Sequence, residues 1–187
     1  MGKIFILIAL FLILGCKNEN MSRTGTIQEK VVQKSLPKFA TLKEMLMDVN
    51  DFSEDNNTLK FISENEKSMH VQVSKPILEE DLESVKKEIV KRDIVYVTFQ
   101  VFAQTDIDEI TITSIPIDGS NYKLYFEEYA LTLKISRKKA KEILTRYFNS
   151  EDFSILFENE NEIWLPNKNF NLLKFDYLDE VFEEMSN

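Results

Sequence analysis

The chain has 187 residues, with 32 acidic side chains against 23 lysines and arginines and a formal charge of −9. That is enough for one domain with a packed core, and the acidic balance argues against nucleic acid as a partner, since binding a polyanion favours a basic footprint. One cysteine, one histidine and four glycines exclude a disulfide framework, a typical zinc site and the glycine-rich loops that cradle phosphates, so no cofactor or metal is expected.

Lys3 is followed by eleven apolar residues, Ile4 to Leu14. A short positive segment and an apolar run of this length have the shape of a secretory signal, whereas a lasting membrane span needs about 20 apolar residues. The run ends Ile13-Leu14-Gly15-Cys16. On these residues the N-terminus resembles a bacterial lipoprotein precursor, whose lipobox places an aliphatic residue three before the cysteine and a small residue just before it. Ile13, Gly15 and Cys16 match, while Leu14 stands where a smaller residue is commoner. The resemblance covers the first sixteen residues and says nothing of the fold beyond them. It implies removal of residues 1–15 as a signal peptide, a diacylglyceryl thioether on Cys16 and an acylated new amino terminus, with palmitate-type chains.

A thiolate is nucleophilic enough to take a lipid at carbon. Two or more acyl chains, at about 0.8 kcal/mol per buried CH₂, anchor stably where one does not. The protein is therefore expected to be exported and held at a membrane by lipid. Lys17 is not an acid of the kind that retains lipoproteins at the inner membrane, so an outer-membrane or cell-surface destination is open to it. Residues 16–37 are mostly polar and mixed in charge, with little apolar periodicity beyond Ile27, Val31 and Val32, and read as the lipidated cysteine and a tether. Its reach would be roughly 25 Å if flexible. Residues 38–187 read as a single globular domain.

Thr41-x-x-Glu44 is a capping-box pattern, and Leu42, Met45, Leu46 and Val49 follow at helical spacing, which predicts a short amphipathic helix. Leu59 to Ile62 and Met69 to Val73 read as strands, with Val71 and Val73 on one face and His70 and Gln72 on the other. Pro76 suits the opening turn of a helix carried by Leu78, Leu82, Val85 and Ile89, with acids early and Lys86, Lys87, Lys91 and Arg92 late, in agreement with the helix dipole. The stretch after Asp93 is read as a continuation of that helix to about Thr105, buried on several sides; a strand over Ile94 to Phe99 is nearly as well supported, by composition. Ile110 to Ile117 and a long return strand from Tyr122 to Ile135 flank the hairpin turn chemistry of Asp118-Gly119-Ser120-Asn121. Ser136 caps a helix with Ala140, Ile143, Leu144, Tyr147 and Phe148 inside. Three short strands (Phe153 to Phe157, Ile163 to Leu165, Leu172 to Phe175) and a final helical turn at Leu178, Val181 and Phe182 complete the reading. The class is α+β: an antiparallel sheet with amphipathic helices packed on one side.

No catalytic residue is assigned. His70 is the one imidazole and lacks a nucleophile elbow, and Asp51-x-Ser53-x-Asp55 fails as a calcium loop because Asn56 and Ile62 occupy the required Gly and Glu positions. Asp106, Asp108 and Glu109, like Glu158, Glu160 and Glu162, read as solvated loops. Arg137, Lys138, Lys139 and Lys141 crowd the first turn of the helix capped by Ser136, against its dipole; neighbouring acids such as Glu127 and Glu128, or simply solvent, are the plain explanation, and an anionic lipid or acidic partner surface is the sharper one. Trp164-Leu165-Pro166 and Phe170 close the core or offer an apolar interaction patch. The expected role is a non-catalytic binding or interaction module at the cell envelope, with an unidentified envelope or extracellular protein as partner. A structural accessory of an envelope complex is the alternative. A carboxylate-based glycan hydrolase is a lesser one; it would require a cleft with two acids, at least one of raised pKa.

Overall fold

Residues 35–65 and 68–187 are described by the computed structural model; the signal-like run, Cys16 and nearly all of the expected tether lie outside the described residues. Helix α1 (Leu42–Val49) starts at the capping box, Thr41 accepting from the Glu44 amide while Glu44 reaches back to the Thr41 amide, and it ends at Asn50 in the left-handed conformation. Strands β1 (Leu59–Asn65) and β2 (Ser68–Val73) form an antiparallel hairpin. A two-residue strand β3 (Pro76–Ile77) takes the place of the helical turn predicted at Pro76. Helix α2 (Glu83–Gln104) spans 22 residues, about 33 Å, so the stretch around residues 94–104 is helix and not strand.

Strand β4 (Glu109–Ser114) follows, then β5 (Ile117–Asp118), β6 (Asn121–Tyr125) and β7 (Leu131–Ser136). Helix α3 (Arg137–Phe148) begins at the Ser136 cap and ends at left-handed Asn149, a residue that tolerates this conformation. A 3₁₀ turn at Phe153–Leu156 leads into the hairpin of β8 (Phe157–Glu160) and β9 (Ile163–Pro166). Helix α4 (Lys168–Asn171), a π-turn over Leu172–Asp176 and helix α5 (Leu178–Ser186) complete the fold.

The principal sheet runs β1-β2-β4-β7. Its outer pairings are antiparallel, but β2 and β4 are parallel, because the α2 crossover returns the chain in the same direction. Val71, Val73, Ile110, Ile112 and Ile135 are buried on one face, which α2 covers at β4 and β7 and α3 and α5 cover at β7. The other face carries His70, whose Nε2 lies 2.8 Å from Thr113 Oγ1, and Thr113 in turn meets Thr132 at 2.8 Å. One face apolar and one polar is the expected outcome of strand alternation.

Several boundaries differ from the sequence reading for physical reasons. Pro116 and the short 3₁₀ turn Glu127–Tyr129 divide the expected long hairpin, so β5 and β6 pair in a small sheet with β3 while β4 and β7 pair in the principal one. Leu172 to Phe175 is a π-turn, not a strand. Leu78 and Leu82 precede α2 and are exposed, as is Val85, whereas Lys86 and Asp93 are among the residues the helix buries. The packed region also starts before residue 38: Leu36 belongs to the core, and the Phe39 amide donates to the Gln104 carbonyl at 2.8 Å.

The second half of α2 is buried all round because the sheet lies on one side and α1, α3, α5 and the 3₁₀ turn at Phe153–Leu156 on the others. Phe99 and Phe102 approach Phe153 at 6.2 and 6.0 Å between ring centres, and Phe99 meets Phe170 edge-on at 6.3 Å. Burying a phenylalanine stabilises by about 1.5–3 kcal/mol, so this aromatic cluster anchors the helix that carries the site.

Candidate functional site

Buried helix surface usually carries apolar side chains, but one stripe of α2 does not. Ile89, Arg92, Asp93 and Tyr96 line a cleft of about 460 Å³. Asp51 and Lys75 join them from the loops after α1 and β2, Leu165 and Pro166 from β9, and Lys174 and Phe175 from the π-turn. The volume lies in the range of small-molecule sites.

Asp93 is almost wholly buried, and Ser114 Oγ on β4 donates to its Oδ2 at 3.1 Å. Burial raises its carboxyl to about pH 7 for half-ionisation, against the pull of Lys75, the Ser114 hydrogen bond, Arg92 and Lys174. Tyr96 donates its hydroxyl proton to Asp51 Oδ2 and accepts from Gln100 Nε2 at 3.1 Å. Burial, then its bond to Asp51, pushes the phenol well above its usual range, so it remains a neutral donor. Burial lowers the Lys174 ammonium, while Asp51 and Asp93 pull it back up.

The three cations are held by aromatic rings, for Lys75 also by a carbonyl and for Arg92 also by a carboxylate. Lys174 Nζ sits 4.9 Å from the Tyr96 ring centre and 5.1 Å from that of Phe175. The Arg92 guanidinium lies 5.5 Å from Phe175 and 3.6 Å from Glu88, and its Nε is buried without a hydrogen-bond partner among the described residues. Lys75 Nζ lies over Phe52 at 4.5 Å and donates to the Asp51 carbonyl at 3.4 Å. Such contacts orient a cation without neutralising it. Three cations against the Asp51 carboxylate and Asp93, half-ionised at about pH 7, leave the cleft lining net positive in a negative protein.

Comparison with known proteins finds no match. No family model, curated protein or solved structure matches the chain. The site is therefore read from its own geometry.

The residues singled out in the sequence fall elsewhere. Cys16 is outside the described residues. Arg137 turns its guanidinium inward and donates to the carbonyls of Phe102 at 2.6 Å, Thr105 at 2.8 Å and Ile107 at 2.7 and 3.0 Å. It thereby closes the C-terminal end of α2, where carbonyls lack helical partners, leaving an anionic-surface contact to Lys138, Lys139 and Lys141. Lys138 lies 4.0 Å from Glu142 and Lys141 3.5 Å from Glu151, while Arg137 lies 3.7 Å from Asp108; these acids, and not Glu127 or Glu128, are the neighbours of the basic turn. Glu158, Glu160 and Glu162 are exposed on the β8–β9 hairpin, and Asp106 and Glu109 face Lys38 at 4.0 Å and Lys134 at 2.7 Å. Phe170 is core, whereas Leu165 and Pro166 join the cleft. Among the described residues no helix is long and apolar enough to cross a membrane.

In the sequence Asp51 figures only as part of a failed calcium loop and Arg92 only as a helix-end cation, and nothing there joins the cleft's polar residues, which are scattered from Asp51 to Lys174. The local signal was Arg92-Asp93 inside a segment whose apolar residues on both sides fit one helix. In a helix buried on several sides, a carboxylate there must enter the core or line a cavity.

Proposed function

We propose that the protein is a lipid-anchored envelope lipoprotein whose domain binds a small anionic ligand in this cleft without transforming it. The observation that carries the reading is the convergence of Lys75, Arg92 and Lys174 from three parts of the chain on one cleft, in a protein of formal charge −9. At 4 Å an anion interacts with one cation by about 4 kcal/mol at an effective dielectric of 20, before desolvation is counted, and three cations exceed what Asp51 and half-ionised Asp93 cancel together. Anchoring follows from the lipobox-like Ile13-Leu14-Gly15-Cys16: acyl chains at the membrane would keep the cleft where envelope solutes pass.

Two acids in one cleft, one with a raised pKa, also meet the condition set by the glycan-hydrolase alternative. The cations weigh against it. Glycoside cleavage passes through an oxocarbenium-like state of positive charge, which Lys75, Arg92 and Lys174 would repel with energies of the same size that favour an anion. A structural accessory role draws no support from a charged, partly buried cleft of this kind.

Two measurements test the proposal. Calorimetric titration of the full chain in nonionic detergent with inorganic phosphate at low ionic strength should detect binding that falls at least tenfold in Lys75→Gln and in Lys174→Gln; affinities unchanged by both would refute the binding site. Envelope fractionation should find wild type with the membrane and acylated at Cys16 by mass spectrometry, and Cys16→Ala without the diacylglyceryl mass. A native protein starting at Met1 with no fatty acid would refute the anchor.

A further inference from the structure

We infer that the ligand of the cleft is an anion on an apolar body, a small aryl or branched-alkyl phosphate or carboxylate, seated with its charge against Lys75, Arg92 and Lys174 and its body against Leu165, Pro166 and Phe175. This rests on the anion-binding reading and adds the part of the ligand that carries no charge.

Size is the first argument. The cleft measures about 460 Å³, several times what an inorganic oxyanion fills, so a bare anion on the cations would leave much of it to water. The lining is the second. Strand β9 contributes only apolar side chains, Leu165 and Pro166, whereas the Asp51 and Lys75 loops and most of the α2 stripe contribute charged or hydroxyl groups. Leu165 is 42% exposed and Phe175 51% exposed, large apolar groups on separate elements that border the same charged cavity. Covering them with an apolar body removes that surface from water, which a hydrated ion cannot do.

The aromatic contacts place the charge boundary. Phe175 lies under both Arg92 and Lys174, at 5.5 and 5.1 Å, so the ring that offers the apolar surface also carries two of the cations. A ligand with its anionic group attached directly to a compact apolar body reaches both at once. The volume suits a soluble small molecule better than a membrane lipid with long chains, and this is the occupant the geometry favours.

The test compares phenyl phosphate with inorganic phosphate, both mainly dianions at pH 8, by calorimetric titration of the full chain at low ionic strength. Phenyl phosphate should bind at least tenfold more tightly, equivalent to about 1.4 kcal/mol. The single variant Leu165→Ser alters an exposed side chain and leaves the rings beside the cations in place. It should lower phenyl phosphate affinity at least threefold and leave inorganic phosphate within twofold. Equal wild-type affinities for the two phosphates would overturn this inference while leaving the anion-binding reading intact. Failure of both to bind would overturn both, as would phenol binding as tightly as phenyl phosphate. A water-soluble short-chain phosphatidic acid binding more tightly than phenyl phosphate would assign the cleft to a lipid headgroup and overturn the inference.

Discussion

Replacing Asp93 with Asn should stabilise the protein above neutral pH and change little in acid. The buried carboxyl half-ionises at about pH 7 in the folded protein, chiefly because burial penalises its charge, against 3.8 as its ordinary value. As pH rises from 4, the unfolded chain releases this proton first, so the ionised unfolded state gains on the folded one. Stability is thus lost between about pH 4 and 7 and levels off above. The gap corresponds to roughly 4 kcal/mol at pH 8. An Asn amide keeps the shape and accepts from the Ser114 hydroxyl, but carries no charge to desolvate. Urea unfolding of wild type and Asp93→Asn across pH 4–8.5 should give curves that coincide within about 1 kcal/mol at pH 4 and separate by up to roughly 4 kcal/mol at pH 8, with the variant on top. For a domain of this size that amounts to a rise of about 8–16 °C in Tm at pH 8. Parallel pH profiles, or a variant less stable than wild type at pH 8, would refute the placement of a buried, penalised carboxylate at the cleft floor. Under the trade-off between stability and function, a destabilising buried carboxylate accords with the proposed binding site.

Arg137→Ala should cost about 3 kcal/mol or more in chemical denaturation, since it strips donors from three carbonyls at the end of α2, and Arg137→Lys should recover only part because an ammonium cannot span the fork. A loss below 1 kcal/mol would show that water replaces the guanidinium. Changing Lys138, Lys139 and Lys141 together to Gln should weaken binding to anionic vesicles by roughly 1 kcal/mol per lysine at low salt, without altering stability by more than about 0.5 kcal/mol. Unchanged vesicle binding would dispose of a membrane-facing role for this turn.

The elements set by local chemistry were legible in the sequence. Thr41 with Glu44, and Ser136 before an apolar stripe, announce α1 and α3 because caps act within one turn of chain. The α+β class followed from alternation in β2 against helical spacing around it. What could not be read was decided by distant partners. Leu78, Leu82 and Val85 fit a helical face by spacing, yet α2 starts at Glu83 and Lys86 is buried on it, its Nζ donating to the Glu79 carbonyl at 2.6 Å and resting 5.1 Å from the Phe126 ring. Arg137 looked like surface charge because the carbonyls it caps lie 30 or more residues away. The cleft was hidden for the same reason, each cation being an ordinary surface residue until the fold brings Lys75, Arg92 and Lys174 together.

The most direct test of an anion site built around Asp93 is a ¹³C NMR titration of the Asp93 side-chain carboxyl, with and without saturating sulfate, which does not itself titrate in this range. The midpoint should lie at about 7 in the free protein and rise by half a pH unit or more with sulfate, because an anion beside the carboxylate disfavours its charge. A midpoint near 4 that sulfate leaves unmoved would contradict both the buried carboxyl and the bound anion.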